Sequence, residues 1–232
     1  MNIIHDHPWK VTFTEAVHIQ RHLQSRVNTE VDCSLKSIGT IAAADVSYSP
    51  DDKQLFAAVV VVRFPGMNPL ASHLVTSSVH FPYLPGLLSF REIPPLLMIF
   101  KEITNDVDVI LCDGQGIAHP RQFGLAAHLG VLLDKPSLGC AKSHLYGEYV
   151  EPAPEKGSFS ELTAFGKPVG VVLRTRRNVK PVFVSPGHKM TIENARELVM
   201  ACVRRFRIPE PLRMAHQAAN RYREQWQTEG KS

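Results

Sequence analysis

Residues 107–121, VDVILCDGQGIAHPR, decide how the rest of this 232-residue chain is read. Val107, Val109 and Leu111 alternate with Asp108, Ile110 and Cys112. That short, mostly apolar run suits a buried strand better than a helix. It stops at Asp113, and Gly114 and Gly116 come immediately after. A carboxylate at the open end of a buried strand, beside backbone freed of Cβ bulk, lets a cation or a phosphate come close. An ordinary strand-ending Asp-Gly turn has the same sequence, so both readings stand on this stretch alone.

On its C-terminal side the pattern predicts a helix over 122–133 and a short strand over 136–140 (PSLGC), a parallel right-handed crossover. On its N-terminal side three strands are expected in succession, at 38–48, 54–64 and 70–79. Asp51 and Asp52 sit in the polar turn between the first two, which reads as a hairpin and the start of an antiparallel meander. The proline-rich HFPYLPG (80–86) excludes a central strand or helix interior. Pro94 and Pro95 then open a helix running to Ile103, with Glu92 just before its N-terminus, where negative charge is favoured.

At the chain's start Thr12 and Glu15 have capping-box spacing, and Ala16, Ile19, Leu23 and Val27 recur at helical intervals, so a helix over 13–28 packs on the body of the domain. His18 and His22 on it read as surface residues. Residues 147–160 read as a surface excursion, 167–175 and 181–185 as two further strands joined by a basic turn. Thr191 caps a helix whose apolar face includes Ile192, Ala195, Val199, Cys202 and Phe206. Pro209 and Pro211 end it, and Leu212, Ala215, Ala219, Tyr222 and Trp226 outline a last helix. With no repeat and no long linker, residues 1–232 read as one mixed α/β domain.

A 44% hydrophobic and 21% charged composition is that of a water-soluble globular protein. The longest apolar run, Leu55 to Val62, is far short of a membrane span, and no secretory signal precedes it. Cys33, Cys112, Cys140 and Cys202 are far apart, without zinc spacing, which predicts reduced thiols in a cytoplasmic protein. The net charge of +4 hides an asymmetry: from Cys140 onward 16 Lys/Arg stand against 9 Asp/Glu. A basic half beside an acidic half suits a phosphate-binding face near a metal pocket, or a plain solvated surface. Asp45, Glu92 and Asp113 all fall near element ends, and three converging carboxylates would repel one another unless protonated or neutralised by a cation. Oxygen-only ligands select a hard ion such as Mg²⁺.

Several longer motifs resemble the endonuclease V family: PYLPGLLSFRE (82–92), DGQGIAHPR (113–121), GVLLD (130–134), AKS (141–143), GVVLRT (170–175) and VSPGH (184–188). They keep the family's order from about Ile38 through the last helix. The resemblance implies a ribonuclease H-like fold. It also implies a Mg²⁺-dependent endonuclease, with Mn²⁺ substituting, that acts on DNA containing deoxyinosine. Such enzymes nick the second phosphodiester bond 3′ to the lesion, leave a 5′-phosphate and keep the damaged base in place. Carried over by position, Asp45 and Asp113 would bind the metal, Glu92 would be a ligand or an acid behind the ligands, and His216 of RMAHQAA would be the active-site histidine.

Tyr83, between Pro82 and Pro85, matches the family's wedge, which would enter the helix and replace stacking lost at the displaced base. Gly86 and Gly114 are the candidates for close backbone approach to a base that lacks guanine's 2-amino group. Lys142 would meet a phosphate. His119, Arg121, Ser185 and His188 either touch the strand or satisfy loop backbone. Gln115 stands where the family often has His or Asn, so details of the base pocket shift. The expected partner is deoxyinosine-containing DNA, with inosine-containing RNA as the open alternative, and the expected state is a monomer. The competing readings are a non-cleaving inosine binder on the same fold and another ribonuclease H-like nuclease such as a junction resolvase.

Overall fold

A computed structural model describes residues 1–229; Gly230 to Ser232 lie outside the described residues. Its centre is an eight-stranded mixed sheet in the order β3-β2-β1-β4-β5-β8-β7-β6. The expected meander is β1 (Thr40–Tyr48), β2 (Gln54–Arg63) and β3 (Asn68–Ser78), each antiparallel to the next. The organising stretch is β4 (Val109–Cys112), parallel to β1 on one side and to β5 (Ser137–Ala141) on the other. The helix α3 (Leu125–Leu133) makes the crossover between β4 and β5.

Alternation along the central strands builds two apolar layers. Ala42, Ala44, Ile110 and Cys112 face one side and pack with α2 (Leu88–Glu102) and α3. Ile41, Ala43, Val109 and Leu111 face the other, against α4 (Ile192–Cys202) and α5 (Glu210–Glu229). Because both faces are covered, β1, β2 and β4 read as nearly continuous apolar runs rather than alternating ones.

α4 ends at Cys202, so Phe206, 42% exposed, lies beyond it and is not part of its apolar face, contrary to expectation. Three further expectations need correction. The first helix, α1 (Phe13–Gln24), has its capping box, with Thr12 N–H donating to Glu15 Oε2 at 2.7 Å, but stops four residues short of 28. There the chain is drawn away: Asn28 donates its N–H to His188 Nδ1 at 3.3 Å, and its carbonyl accepts the Lys189 N–H at 2.6 Å. The second correction concerns α2, which starts at Leu88, so Pro94 and Pro95 are interior and Glu92 lies within the helix rather than before it. Each interior proline removes a helical donor at a cost of about 3 kcal/mol. Burial of Phe90, Ile93, Leu96, Leu97 and Phe100 offsets this. Last, the surface excursion ends in a strand, β6 (Phe159–Ala164), which forms the sheet edge beside β7 (Lys167–Leu173). Only Leu162 of β6 is buried, so no apolar pattern announces it. The remaining strand, β8 (Val182–His188), runs antiparallel to both β5 and β7.

Candidate active site

Strand pairing brings the first two acids together. Ala44 sits opposite Cys112 in the β1–β4 pair, and the Asp113 N–H donates to the Ala44 carbonyl at 3.2 Å. Asp45 and Asp113 come next on these two parallel chains, so alternation turns both away from the Ala44 and Cys112 layer and toward α5. Leu212 and Ala215 seat α5 on that face, which carries His216 over the same spot. Ligand atoms of Asp45, Asp113 and His216 all lie within 4.8 Å of one another.

The side chains are fixed by a chain of hydrogen bonds. His216 Nδ1 lies 2.7 Å from Asp45 Oδ2, and its Nε2 lies 3.0 Å from Asn220 Nδ2. The Ser47 hydroxyl donates to Asn220 Oδ1 at 2.9 Å and accepts from Arg223 Nη1 at 2.9 Å. The Asn220 amide thus donates to Nε2, which assigns the imidazole proton to Nδ1, where it meets the Asp45 carboxylate. Burial, and then the charge of Asp113, push the Asp45 carboxyl well above the usual carboxylate range, against the pull of His216 and Lys142. Lys142 donates to Asp113 Oδ2. Burial alone would lower the Lys142 ammonium, but the charge and hydrogen bond of Asp113, together with the charge of Asp45, hold it above its ordinary value.

Glu92 reaches the site from the other face. Its Oε1 accepts the Tyr48 hydroxyl at 2.6 Å, and burial pushes its carboxyl up to about 8 despite that bond. Asp45 and Asp113, which line the same cavity, add to the rise. Glu92 nevertheless stands outside the set whose ligand atoms lie within 4.8 Å.

These groups line one cavity of about 420 Å³, bounded by Tyr83 to Gly86, Glu92, Asp113 to Gln115, His119 and residues 141–145. Tyr83 stands at its rim and is 66% exposed, free to meet a ligand. Gly86, at φ +76°, turns the loop back, and a Cβ there would lie 2.6 Å from Arg121 Nη2. The Gly86 carbonyl accepts from Gln20 Nε2 at 3.0 Å, His119 Nε2 at 3.0 Å and Arg121 Nη2 at 2.6 Å. His119 lines the cavity, yet its ring is committed: Nδ1 accepts the Arg121 N–H at 3.1 Å. Burial and the Arg121 charge push its imidazole down to about 4.

Gly114 lines the cavity, where an added Cβ would meet the Leu125 side chain at 3.3 Å. Ser185 and His188 lie away from it. Ser185 is fully buried and its Oγ accepts the Gly116 N–H at 2.8 Å; His188 is engaged with Asp134 and Asn28. Gln115 Nε2 donates to the Ser143 carbonyl at 3.2 Å, closing one wall. Sequence reasoning misses Tyr48, Ser47, Asn220, Arg223 and Gln20. Of these only Ser47 and Tyr48 carry a signal, as residues two and three after Asp45 on the same strand.

A sequence profile of endonuclease V matches residues 21–217. The chain belongs to the endonuclease V family. The endonuclease V of Dehalococcoides mccartyi is 50% identical over 214 residues, 92% of this chain and 95% of that protein. The crystal structure of endonuclease V from Streptomyces avermitilis superposes with a TM-score of 0.90 at 36% identity, covering 98% of this chain and all of the other. Ciona intestinalis endonuclease V, solved with a 24mer DNA containing an inosine followed by a ribo-adenosine, matches at 28% identity and a TM-score of 0.79, covering 91% and 98%. The mixed sheet and its helices are those of endonuclease V, the ribonuclease H-like fold expected from the motifs. No helix among the described residues is long and apolar enough to cross a membrane, and all four cysteines are free and buried.

Proposed function

We propose that this endonuclease V acts on DNA containing deoxyinosine and hydrolyses the second phosphodiester bond on its 3′ side, leaving a 5′-phosphate. The observation that carries the reading is the meeting of Asp45, Asp113 and His216 within 4.8 Å on the wall of a cavity whose rim bears an exposed tyrosine. The donor set fits a hard divalent cation. Both His216 ring nitrogens have partners in Asp45 and Asn220, which leaves carboxylate oxygens as the free donors. A bound Mg²⁺, or Mn²⁺ in its place, would activate water and neutralise charge growing on the phosphate.

The chain's own groups do the rest. Asp45 and Asp113 would hold the cation. His216 keeps the Asp45 carboxylate turned toward Asp113, and its Nε2 could exchange a proton with water once Asn220 yields it. Lys142, released from Asp113, would meet a phosphate oxygen. Glu92, with its carboxyl pinned by Tyr48, shapes the floor behind the two ligands. Tyr83 would fill the stack left by the displaced base, worth roughly 1–3 kcal/mol. A monomer working in the cytoplasm belongs to the same proposal.

The test is cleavage of labelled duplexes carrying one deoxyinosine, with Mg²⁺ and with EDTA, alongside an undamaged duplex and an RNA counterpart. The expected result is a metal-dependent nick one nucleotide beyond the lesion, absent with Asp113→Asn. Tight, lesion-selective binding without a nick would replace this reading with that of a binding protein, and stronger cutting of the RNA would move the substrate from DNA to RNA.

A further inference from the structure

We propose that a second groove, next to the active-site cavity, is a nucleobase platform: Tyr146 and Phe165 stack a base of the bound strand beside the scissile phosphate. The proposal rests on the nucleic-acid reading of the site and adds a separate place where the strand is held. Three observations carry it.

The first is a residue whose local chemistry is wrong for its place. Ala164 and Lys167 pair across the β6–β7 hairpin, and the two residues between them, Phe165 and Gly166, have φ of +55° and +70°. Two-residue loops with both φ positive favour Asn-Gly, because a bulky side chain in the left-handed region is strained. Phe165 recovers little by burial, being 53% exposed. Within the protein the Phe165 ring gains partial burial and one ring contact, with Tyr146, and about half of its surface is left open to a ligand.

Next is its partner. The Tyr146 ring lies 5.4 Å from the Phe165 ring, tilted by 35°, within the range of aromatic contact. The loop holding Tyr146 is tied down: Glu148 and Thr163 exchange backbone hydrogen bonds of 2.8 and 2.9 Å, and His144 Nε2 donates to the Gly147 carbonyl at 2.8 Å. The two rings are therefore preorganised on a groove of about 500 Å³. Exposed Glu148 on its lining disfavours a phosphate, which leaves the flat, apolar face of a base as the group that fits.

The third is continuity. His144 and Leu145 line both this groove and the active-site cavity. Lys142, on Asp113, precedes Tyr146 by four residues, a chain span of at most about 14 Å. A strand leaving the catalytic acids along this wall meets the ring pair next.

The test uses inosine-containing oligonucleotides with 2-aminopurine placed in turn at positions flanking the lesion. With the wild-type protein, one position should be quenched, and Tyr146→Ala and Phe165→Ala should each restore its emission. Phe165→Asn separates binding from folding: it suits the hairpin, so Tm should hold or rise while the oligonucleotide binds roughly fivefold more weakly, the lower end of base–aromatic stacking. Wild-type affinity in Phe165→Asn and Tyr146→Ala, with no quenched position, overturns the platform even if lesion-directed cleavage is intact. A wild-type protein that neither binds nor cuts inosine-containing strands refutes the functional reading itself, and the platform with it.

Discussion

Replacing Gln20 should loosen the loop that carries Tyr83, although Gln20 lies on a helix outside the cavity. It is fully buried in α1, where its Nε2 donates to the Gly86 carbonyl at 3.0 Å and to the Phe123 carbonyl at 3.2 Å. Its Oε1 accepts Arg121 Nε at 2.5 Å. Two neutral hydrogen bonds contribute about 1 kcal/mol each, and one to a charged donor about 1.5–3 kcal/mol. Allowing for non-additivity, Gln20→Met should cost about 3 kcal/mol while filling a similar volume, so the loss reports polarity rather than a cavity. With a urea m-value of about 3 kcal/mol/M, at the top of the usual range, the unfolding midpoint falls by about 1 M. Trp9, which packs against α1 residues, supplies the fluorescence signal. Hydrogen exchange at the Leu87 amide, bonded to the Leu84 carbonyl at 2.9 Å, reads the loop directly. A variant that unfolds at the wild-type midpoint and protects Leu87 as well as wild type would refute the idea that α1 anchors this loop.

Other contacts carry further expected outcomes. The His119 imidazole titrates near 6.5 when unfolded but is pushed down to about 4 in the fold, so the unfolded chain binds its proton first. Stability is therefore complete above pH 6.5 and falls by about 1.4 kcal/mol per pH unit down to about 4. Buried His128, also pushed well down by burial and then by His7, acts in the same direction. His119→Gln keeps a donor for the Gly86 carbonyl and should flatten the slope of urea stability between pH 6.5 and 4.5; an unchanged slope would exclude His119. Gly116→Ala would place a Cβ 2.0 Å from the Pro186 carbonyl oxygen, a backbone atom that has no rotamer to escape into. It should cost about 3 kcal/mol or more, and wild-type thermal stability would show that the β8 backbone yields. Asn220→Ala, on a partly exposed helix face, removes the amide that orients the His216 ring and fixes its tautomer; this loss of orientation outweighs the freeing of Nε2, so single-turnover nicking should slow roughly tenfold with Tm nearly unchanged. An unaffected rate would mean that Asp45 alone holds the ring.

What is legible in the sequence is whatever depends on local pattern. The meander, the crossover and the last two helices come from apolar periodicity, which their burial enforces. The convergence of Asp45 with Asp113 depends instead on β1 and β4 being parallel neighbours. No spacing encodes that, and the family motifs supply it. Proline's preference for a first helical turn predicts Glu92 before α2, yet the buried Phe90 and Ile93 extend the helix backward through that preference. Polar residues such as Gln20 and Asn220 stay invisible for the opposite reason. The Gln20 contacts begin 66 positions away, the Ser47 partner of Asn220 lies on a distant strand, and a lone amide on a helix has no pattern to betray it. For His119 and Arg121 the sequence allows either a strand contact or a backbone ligand; their hydrogen bonds place both on the Gly86 carbonyl.

On the proposed function, that carbonyl also bears on how recognition and cutting would be kept in step. An enzyme that cuts at a fixed offset from the base it senses needs a stiff connection between the two. Here the exposed Tyr83 and the buried Glu92 are nine residues apart, and most of that interval is fixed. The loop ends at Gly86, whose carbonyl is held by three donors from α1 and the 119–121 turn. Two residues later α2 begins, and Glu92 sits on its second turn, locked by Tyr48 of β1, the strand that also carries Asp45. Tyr48 and Asp45 are three residues apart on one strand, so they point to opposite faces and tie α2 and α5 to the same backbone. On the proposed reading, the probe and the acids move as one body. The offset between lesion and nick is then set by the rigid geometry of α2 against β1 rather than by a later closure of the protein around the strand.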